Sequence, residues 1–315
     1  GAINQLDKDL ERHIKEYLSI RCGMQEIFSY PWMEESYVNA ILQSTDGILA
    51  LSTPPSPSER FIRSSLLPNL CKAVAKNERY YGDFAIFETA QVFHDTDYTT
   101  PYDPREKLPS QRKNVAGAFV SAGKDVAALF RKAKGVVEMM PRYTHMERYD
   151  FRQVEKPVWA DEVVWLNIYL GEERIGDLAL LSKRVSMACG IKNVNVMLFQ
   201  LDQDALVPLR SRTNTFTHLA EYPMTDYDIS LLLDGEVKWA DVAETIEGVK
   251  NPLLHGASFV DEYRGKQVPA GKKSLTARLT IGSTEKTLTS AEIEEVANSV
   301  LKKLSKRFGA ELRSR

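Results

Sequence analysis

The chain has 315 residues, 43% of them hydrophobic and 27% charged, and this length predicts two domains of unequal size rather than one core. Its longest apolar stretches fall far short of the about 20 residues that a membrane helix requires, so a membrane-spanning protein is not expected. Because the net charge is −2, the chain is not basic as a whole, and any contact with nucleic acid must come from a local patch.

The first third of the chain predicts two helices. Apolar residues recur at helical spacing over residues 6–18, and Gly23 follows them, which is typical of an amphipathic helix and its end. The second helix begins near Ser65, a capping residue type, carries Pro68 in its first turn and ends near Asn77.

Two buried strands are predicted next, because residues 84–93 and 115–121 are rich in β-branched and aromatic side chains. The stretch between them, residues 95–113, is rich in Pro, Asp and Thr. This composition predicts a loop.

The following segment predicts one helix and three strands. Residues 125–140 have apolar positions at helical spacing. Residues 163–169 and 174–181 flank Gly171 and predict a hairpin, and residues 197–201 predict a further strand.

A linker is predicted over residues 209–218, where apolar periodicity is lost and Arg, Ser, Thr and Asn accumulate. The predicted domains are therefore residues 1–210 and 216–315. In the second domain, strands are predicted at 228–233, 257–263, 274–282 and 310–313, with helices at 239–247 and 290–308. This β-α-β-β-α-β order is that of a ferredoxin-like sandwich.

Side chains that could carry catalysis or hold a metal are scattered along the sequence. Cys22, Cys71 and Cys189 lie far apart without ligand spacing, which predicts buried thiols in a reducing cytoplasm rather than a zinc site or disulfides. None of the five histidines stands beside a Ser or Cys in a triad-like context, so no nucleophile is predicted. Asp226 and Asp228 share one strand face without a third ligand, and we interpret them as a solvated face.

Residues 263–286, here called the basic segment, contain one acidic residue, Glu285, among many cations. The candidate RNA-binding residues are Arg264, Lys266, Lys272, Lys273, Arg278 and Lys286. Clustered cations supply the sequence-independent part of RNA affinity by neutralising phosphates. Since Lys272 and Lys273 directly precede a strand, both are expected at a loop edge within reach of a phosphate. The alternative interpretation is a solubilising hairpin.

Three aromatic residues of the second domain, Phe259, Tyr263 and Phe308, are of the type that stacks on unpaired RNA bases. Strand alternation predicts that Phe259 and Tyr263 share a face, and Phe308 precedes the turn at Gly309. Packing in the core is therefore the favoured interpretation for all three.

Ordered segments along the chain also resemble a known family. In the first domain they are residues 23–30 (GMQEIFSY), 62–70 (IRSSLLPNL), 84–93 (FAIFETAQVF), 134–138 (KGVVE) and 197–206 (MLFQLDQDAL), and in the second they are 271–275 (GKKSL) and 287–293 (TLTSAEI). Through these segments, nearly the whole chain resembles the C-terminal part of the bacterial-type phenylalanyl-tRNA synthetase β subunit. The sequence starts at Gly1 rather than Met, so we expect further residues upstream.

The resemblance implies an α+β fold. The first domain would resemble the class II synthetase catalytic domain, an antiparallel sheet with flanking helices, and the second would be a ferredoxin-fold anticodon-binding domain. Class II active sites use an arginine in motif two and a second arginine in a Gly-rich motif three. Residues 188–198 (ACGIKNVNVML), where motif three is expected, contain neither a Gly-rich run nor an arginine. Arg63, the nearest motif-two candidate, is interpreted as solvated or at an interface, and Glu88 as an inherited structural or interface residue.

The function implied by the resemblance is that of a non-catalytic subunit portion. The first domain would contact a separate catalytic α subunit, in a heterotetramer of two α and two β chains, and the second would bind tRNA. The chain alone would be inactive, with no catalytic residue, metal or cofactor of its own. ATP and magnesium would bind the α subunit, and the complex would be a phenylalanine-tRNA ligase of the cytoplasm. The alternative is a stand-alone RNA-binding or regulatory paralogue, which would not need an exposed apolar partner surface on the first domain.

Overall fold

The computed structural model describes residues 5–99, 108–209 and 222–313. The chain divides into two compact units, Gly1–Asn214 and Thr215–Arg315. Most of the predicted linker, from residue 210 to residue 218, lies outside the described residues. Within the described part, no helix is both long enough and apolar enough to cross a membrane.

A mixed but mainly antiparallel sheet forms the centre of the first unit. The described strands of this unit are β1 (Gln25–Glu26), β2 (Trp32–Met33), β3 (Phe61–Ile62), β4 (Asp83–Thr99), β5 (Leu108–Ser121), β6 (Asp150–Arg152), β7 (Ala160–Leu170), β8 (Glu173–Leu181) and β9 (Asn195–Asp202). Seven of them pair in the order β1-β4-β5-β9-β8-β7-β6, and only β1 and β4 run parallel. Strands β2 and β3 form a separate small sheet.

Helices cover this sheet. They are α1 (Leu6–Glu16), α2 (Glu35–Ile41), α3 (Leu67–Asn77), α4 (Val126–Thr144), α5 (Lys183–Ala188) and α6 (Gln203–Leu206), with a π-helical turn at Tyr17–Arg21 and a 3₁₀ turn at Val207–Leu209. The predicted helices at 6–18, 65–77 and 125–140 are confirmed, apart from shifts of a few residues at their ends.

Side chains at the start of two helices explain where they begin. The Ser65 hydroxyl accepts a hydrogen bond from the Leu67 amide at 3.2 Å, just before α3. The Asp125 carboxylate accepts one from the Ala128 amide at 2.8 Å and caps α4. Each bond satisfies an amide that has no partner within its own helix.

Each face of the seven-stranded sheet carries a hydrophobic core. On one face, Val115 and Phe119 of β5 lie in a core with side chains of α1, α4 and α6. On the opposite face, Ala116 and Ala118 of the same strand pack in a second core with side chains of α2, α3 and α5. Because successive side chains of a strand point to opposite faces, β5 contributes to both cores.

The hairpin of β4 and β5 is longer than the sequence predicted. β4 continues to Thr99 and β5 begins at Leu108, so residues 95–99 and 108–113 are strand, and the predicted loop over 95–113 is wrong for them. His94 pairs with Ser110, and Thr99 pairs with Leu108 after an irregularity. Backbone pairing holds these residues in the sheet, and it does not require the apolar side chains on which the prediction relied.

The second unit contains a four-stranded antiparallel sheet with two helices. Its described elements are β10 (Thr225–Asp234), α7 (Trp239–Glu247), β11 (Leu254–Tyr263), β12 (Lys272–Ile281), α8 (Ser290–Phe308) and β13 (Glu311–Leu312). The strand order is β11-β12-β10-β13. Ile229 and Leu231 of β10 and Leu275 and Ala277 of β12 pack with buried side chains of α7 and α8. The helices therefore cover one face of this sheet, here called the helix face, and the other is the open face.

Candidate RNA-binding and subunit-contact sites

Lys272 and Lys273, adjacent in sequence, lie on opposite faces of the second sheet. Lys273 is on the helix face with Leu275 and is only 3% exposed. Its Nζ donates a hydrogen bond to a Glu262 carboxylate oxygen at 2.8 Å. The expectation that Lys273 reaches a phosphate from a loop edge is therefore wrong, because strand alternation turns its side chain into the core.

Three further cations of the basic segment are paired with acids or carbonyls. Arg278 donates two hydrogen bonds to Asp228, at 2.7 and 2.8 Å, and the bond lowers the pKa of that carboxyl. Lys286 pairs with Glu292. Arg264 pairs with Glu262 at 2.8 Å.

Lys266 and Lys272 are the candidate cations without an acidic partner among the described residues. Lys266 is exposed in the turn between β11 and β12, and Lys272 is partly exposed on the open face. A free ammonium group can replace its water shell with a phosphate without first breaking an ion pair. Within the described residues, these two lysines are therefore the members of the predicted set whose ammonium groups are not engaged in an ion pair.

The aromatic residues of β11 do not share a face. A shift in the pairing register between Phe259 and Asp261 leaves Phe259 opposite Ala277 and Tyr263 opposite Ser274. Phe259 therefore lies on the helix face, against the ring of Trp239 at 5.8 Å. The prediction of a common face is wrong because a bulge adds one residue to the alternation.

Tyr263 lies instead on the open face beside a cation that the sequence analysis missed. The Arg313 guanidinium is 5.6 Å from the centre of the Tyr263 ring, and it donates a hydrogen bond to Gln267 at 3.2 Å. Arg313 follows the last short strand, β13, and nothing in its local sequence signals this contact. The third aromatic residue, Phe308, packs against the core as expected.

Asp226 and Asp228 lie on a solvated face, as predicted. Both are exposed on the open face, where Asp226 accepts a hydrogen bond from the Thr280 hydroxyl at 3.2 Å and Asp228 holds Arg278. Over residues 5–99, 108–209 and 222–313, no three His, Cys, Asp or Glu side chains converge as metal ligands.

In the first unit, Arg63 and Glu88 form a buried polar cluster. Arg63 is 8% exposed and Glu88 is 1% exposed, and Arg63 Nη1 lies 3.3 Å from Glu88 Oε1. Arg63 Nε donates to the Gln91 carbonyl at 2.7 Å, and the Ser29 amide and hydroxyl donate to Glu88 at 2.8 and 2.7 Å. The interpretation of Arg63 as solvated or interfacial is therefore wrong, and the structural role of Glu88 is confirmed.

Helix α3 closes the sheet face on which this cluster lies. The Gln200 side-chain oxygen on β9 accepts hydrogen bonds from the Ser65 hydroxyl and the Leu66 amide, both at 2.9 Å, and so attaches the start of α3 to the sheet. Leu66, Leu67 and the following apolar residues of α3 pack against the sheet alanines. Arg63 and Glu88 therefore lie between the sheet and the start of α3.

Exposed aromatic rings mark a different surface of the first unit. Phe28, Tyr30, Tyr80 and Tyr81, here called the aromatic patch, are all largely exposed, and Phe28 is 81% exposed. Tyr30 stacks on Trp32 with ring centres 4.6 Å apart. A cavity of about 300 Å³ is lined on one side by residues of the segment 27–32 and on the other by residues of α3. Exposed aromatic rings are enriched at protein interaction surfaces.

Two solved structures resemble this chain in fold. Two structures of pyrrolysyl-tRNA synthetase from Desulfitobacterium hafniense superpose with TM-scores of 0.51 and 0.52 at 11% identity. They cover 64% and 65% of this chain and 68% and 69% of their own chains. At this identity, the likeness shows a synthetase-related fold and no more.

Family models identify the chain more closely. The phenylalanyl-tRNA synthetase β chain CLM domain matches residues 2–203, and the ferredoxin-fold anticodon binding domain matches residues 220–313. The chain thus belongs to the phenylalanyl-tRNA synthetase β chain family.

Two similar relatives are the phenylalanine-tRNA ligase β subunits of Carboxydothermus hydrogenoformans, 28% identical, and Oceanobacillus iheyensis, 27% identical. Each alignment covers 97% of this chain and 38% of the relative. The chain therefore spans about two fifths of the length of these relatives, and it corresponds to the C-terminal portion of the β subunit.

Proposed function

We propose that residues 1–210 form a non-catalytic, class II synthetase-like domain that binds the catalytic α subunit. Residues 216–315 form the anticodon-binding domain, which binds tRNA during ATP-dependent phenylalanylation. The observation that carries this proposal is that helices pack on both faces of the seven-stranded sheet, with α1, α4 and α6 on one face and α2, α3 and α5 on the other.

The aromatic patch is the proposed contact with the α subunit. Large rings that lie mostly in water gain little from the hydrophobic effect in the isolated unit, whereas their burial against a partner is favourable. Tyr and Phe are enriched at the centres of protein interfaces. This surface also argues against the stand-alone paralogue, which would have no partner to cover it.

The proposed tRNA contact is the part of the basic segment that remains free to bind phosphate. Lys266 and Lys272 supply charge, and Tyr263 with Arg313 supplies a ring and a guanidinium on the same open face. Stacking of an unpaired base on such a ring is sequence-tolerant, while the lysines contribute affinity that depends on salt. Arg264, Arg278 and Lys286 contribute positive potential through their exposed side chains although each is paired.

Catalysis is assigned to the partner. ATP and magnesium bind the α subunit, in a cytoplasmic heterotetramer of two α and two β chains. Arg63, the nearest motif-two candidate in this chain, is held by buried hydrogen bonds, and residues 188–198 contain no arginine.

A charging assay tests the proposal. The chain mixed with ATP, phenylalanine and tRNA should form no phenylalanyl-tRNA, and size-exclusion chromatography with a purified α subunit should show a complex. Charging by the chain alone would refute the assignment of catalysis to the partner. Binding of tRNA without any complex with the α subunit would favour the paralogue.

A further inference from the structure

Glu262 lies at the centre of a hydrogen-bonded chain that the RNA-binding candidates share. One carboxylate oxygen accepts from Lys273 Nζ at 2.8 Å, and the other accepts from Arg264 Nε at 2.8 Å. Arg264 Nη2 in turn donates to the Gly235 carbonyl at 2.7 Å. The Gly235 amide donates to the Gly271 carbonyl at 2.8 Å. These bonds connect the end of β11, the start of β12 and the turn after β10.

The charges around this hydrogen-bond network favour the ionised form of Glu262. Burial raises the pKa of Glu262, but hydrogen bonds from Lys273 and Arg264 and the charges of both cations together lower it below its ordinary value. Lys273 is almost fully buried, and a buried cation is costly unless it is paired. Glu262 therefore compensates Lys273 inside the unit and orients Arg264 outside it.

The segment anchored at both ends by Glu262 carries the free cations. Arg264 and Lys273 bracket the turn that contains Lys266 and leads into Lys272. Within that turn, Gln267 accepts the hydrogen bond from Arg313, the guanidinium beside Tyr263. The two bonds to Glu262 therefore join the ends of the turn that carries Lys266, whereas Lys272 is also held by the pairing of β12 with β10.

We propose that Glu262 is a positioning residue for RNA binding: an acidic side chain that increases affinity for a polyanion by fixing the basic turn through Lys273 and Arg264. This inference rests on the proposed tRNA-binding role of the second unit. It assigns to Lys273 the role of an internal anchor instead of a phosphate contact.

The sign of one substitution separates positioning from simple electrostatics. Glu262→Gln removes a negative charge beside the basic turn, so a purely electrostatic role predicts tighter tRNA binding. Positioning predicts weaker binding, by roughly three- to tenfold at 100 mM salt, the range expected for loss of about one phosphate contact. The probe is an unmodified tRNA transcript that accepts phenylalanine, titrated against the full chain.

Glu236→Gln is the matched control. Glu236 follows Gly235 in the same region, is exposed, and makes no hydrogen bond or ion pair with a described residue. The Glu236→Gln variant loses the same charge but keeps the hydrogen bonds of Glu262. The affinity of this variant for tRNA should be equal to or higher than that of the unaltered protein. Tighter or unchanged binding by Glu262→Gln would overturn the inference.

A double variant separates positioning from stability. Glu262→Gln alone leaves the Lys273 ammonium buried without a carboxylate, whereas Glu262→Gln with Lys273→Met removes that charge as well. The melting temperature of the double variant should recover relative to the single variant, while its tRNA affinity should stay low because neither end of the turn is bonded to a carboxylate at position 262. Recovery of tRNA binding together with stability would show a structural role alone and would overturn the inference.

Two lysine variants distinguish failure of the proposed tRNA-binding function from failure of the positioning role of Glu262. If Lys266→Ala and Lys272→Ala leave tRNA affinity unchanged, the basic turn does not bind tRNA, and both proposals fail. If those variants weaken binding while Glu262→Gln does not, only the positioning role is lost.

Discussion

Lys272 and Lys273 show how far neighbouring residues of the same type can differ in role. Lys272 lies on the open face without an acidic partner among the described residues, and Lys273 lies in the core against Glu262. Removing one partner of a buried ion pair typically costs about 3–5 kcal/mol, because the other charge is left uncompensated. A double substitution that reverses the charge at both positions would therefore lower stability as well as RNA affinity, and a loss of binding could not be assigned to either cause.

Single substitutions should separate the two effects. Lys272→Glu is expected to weaken tRNA binding, to reduce the slope of log Kd against log salt by about 1, and to leave thermal unfolding unchanged. Lys273→Glu is expected to lower the melting temperature, since it places a second carboxylate beside Glu262 in the core. Binding titrations between 50 and 200 mM salt and circular dichroism melts measure both.

Lys302→Glu on α8 serves as the charge-matched control for Lys272→Glu. Lys302 is exposed and unpaired within the described part of the chain. An equal loss of affinity in Lys302→Glu would show that net charge, rather than the open face, governs binding.

At the level of elements, the start of α8 contains a capping box. Thr289 donates from its amide and its hydroxyl to Glu292 at 2.8 and 2.9 Å, and Lys286 also contacts that carboxylate. The bond from Lys286, followed by those from Thr289, lowers the pKa of Glu292 from 4.5 to about 2. A capping box satisfies amides that the first turn of the helix leaves free.

The contribution of Glu292 to stability should therefore depend on pH. A depressed pKa in the folded state means that the stabilisation is complete above pH 4.5 and is lost as pH falls towards 2. Glu292→Gln should lower the melting temperature at pH 7, and the difference from the unaltered chain should shrink across that window. Glu294→Gln, an exposed change on the same helix, should have little effect at any pH. A difference for Glu292→Gln that is constant from pH 7 to pH 2 would contradict this origin.

The periodicity of apolar residues predicted those helices and strands whose side chains are buried on one face. The apolar spacing over residues 6–18, 125–140 and 290–308 marks helices because each buries one stripe. The polar ends of β4 and β5 escaped prediction because backbone pairing, rather than side-chain burial, holds them. The face of Tyr263 was also unpredictable, since a bulge in β11 has no distinct sequence signal. Lys273 could have been assigned from its alternation with Leu275.

For the whole molecule, the prediction concerns the partner surface. Phe28→Ser should abolish or strongly weaken binding to the α subunit, because the ring is 81% exposed and available to a partner. It should not change thermal stability. Val163→Ser on β7 is the matched control, since Val163 is 75% exposed and lies outside the aromatic patch. Analytical size-exclusion chromatography and calorimetry with the α subunit measure the difference. Equal binding by both variants would remove the aromatic patch from the interface.

The attachment of α3 to the sheet limits which substitutions the sheet can accept. Ala116 and Ala118 of β5 pack in the same core as the leucines of α3, and the Gln200 side-chain oxygen accepts hydrogen bonds at the start of that helix. A larger side chain at either alanine would have to displace α3 or leave its preferred rotamer, at a cost of about 1–3 kcal/mol. The two alanines therefore set the distance between helix and sheet, and their volume can change only together with that of the leucines they contact.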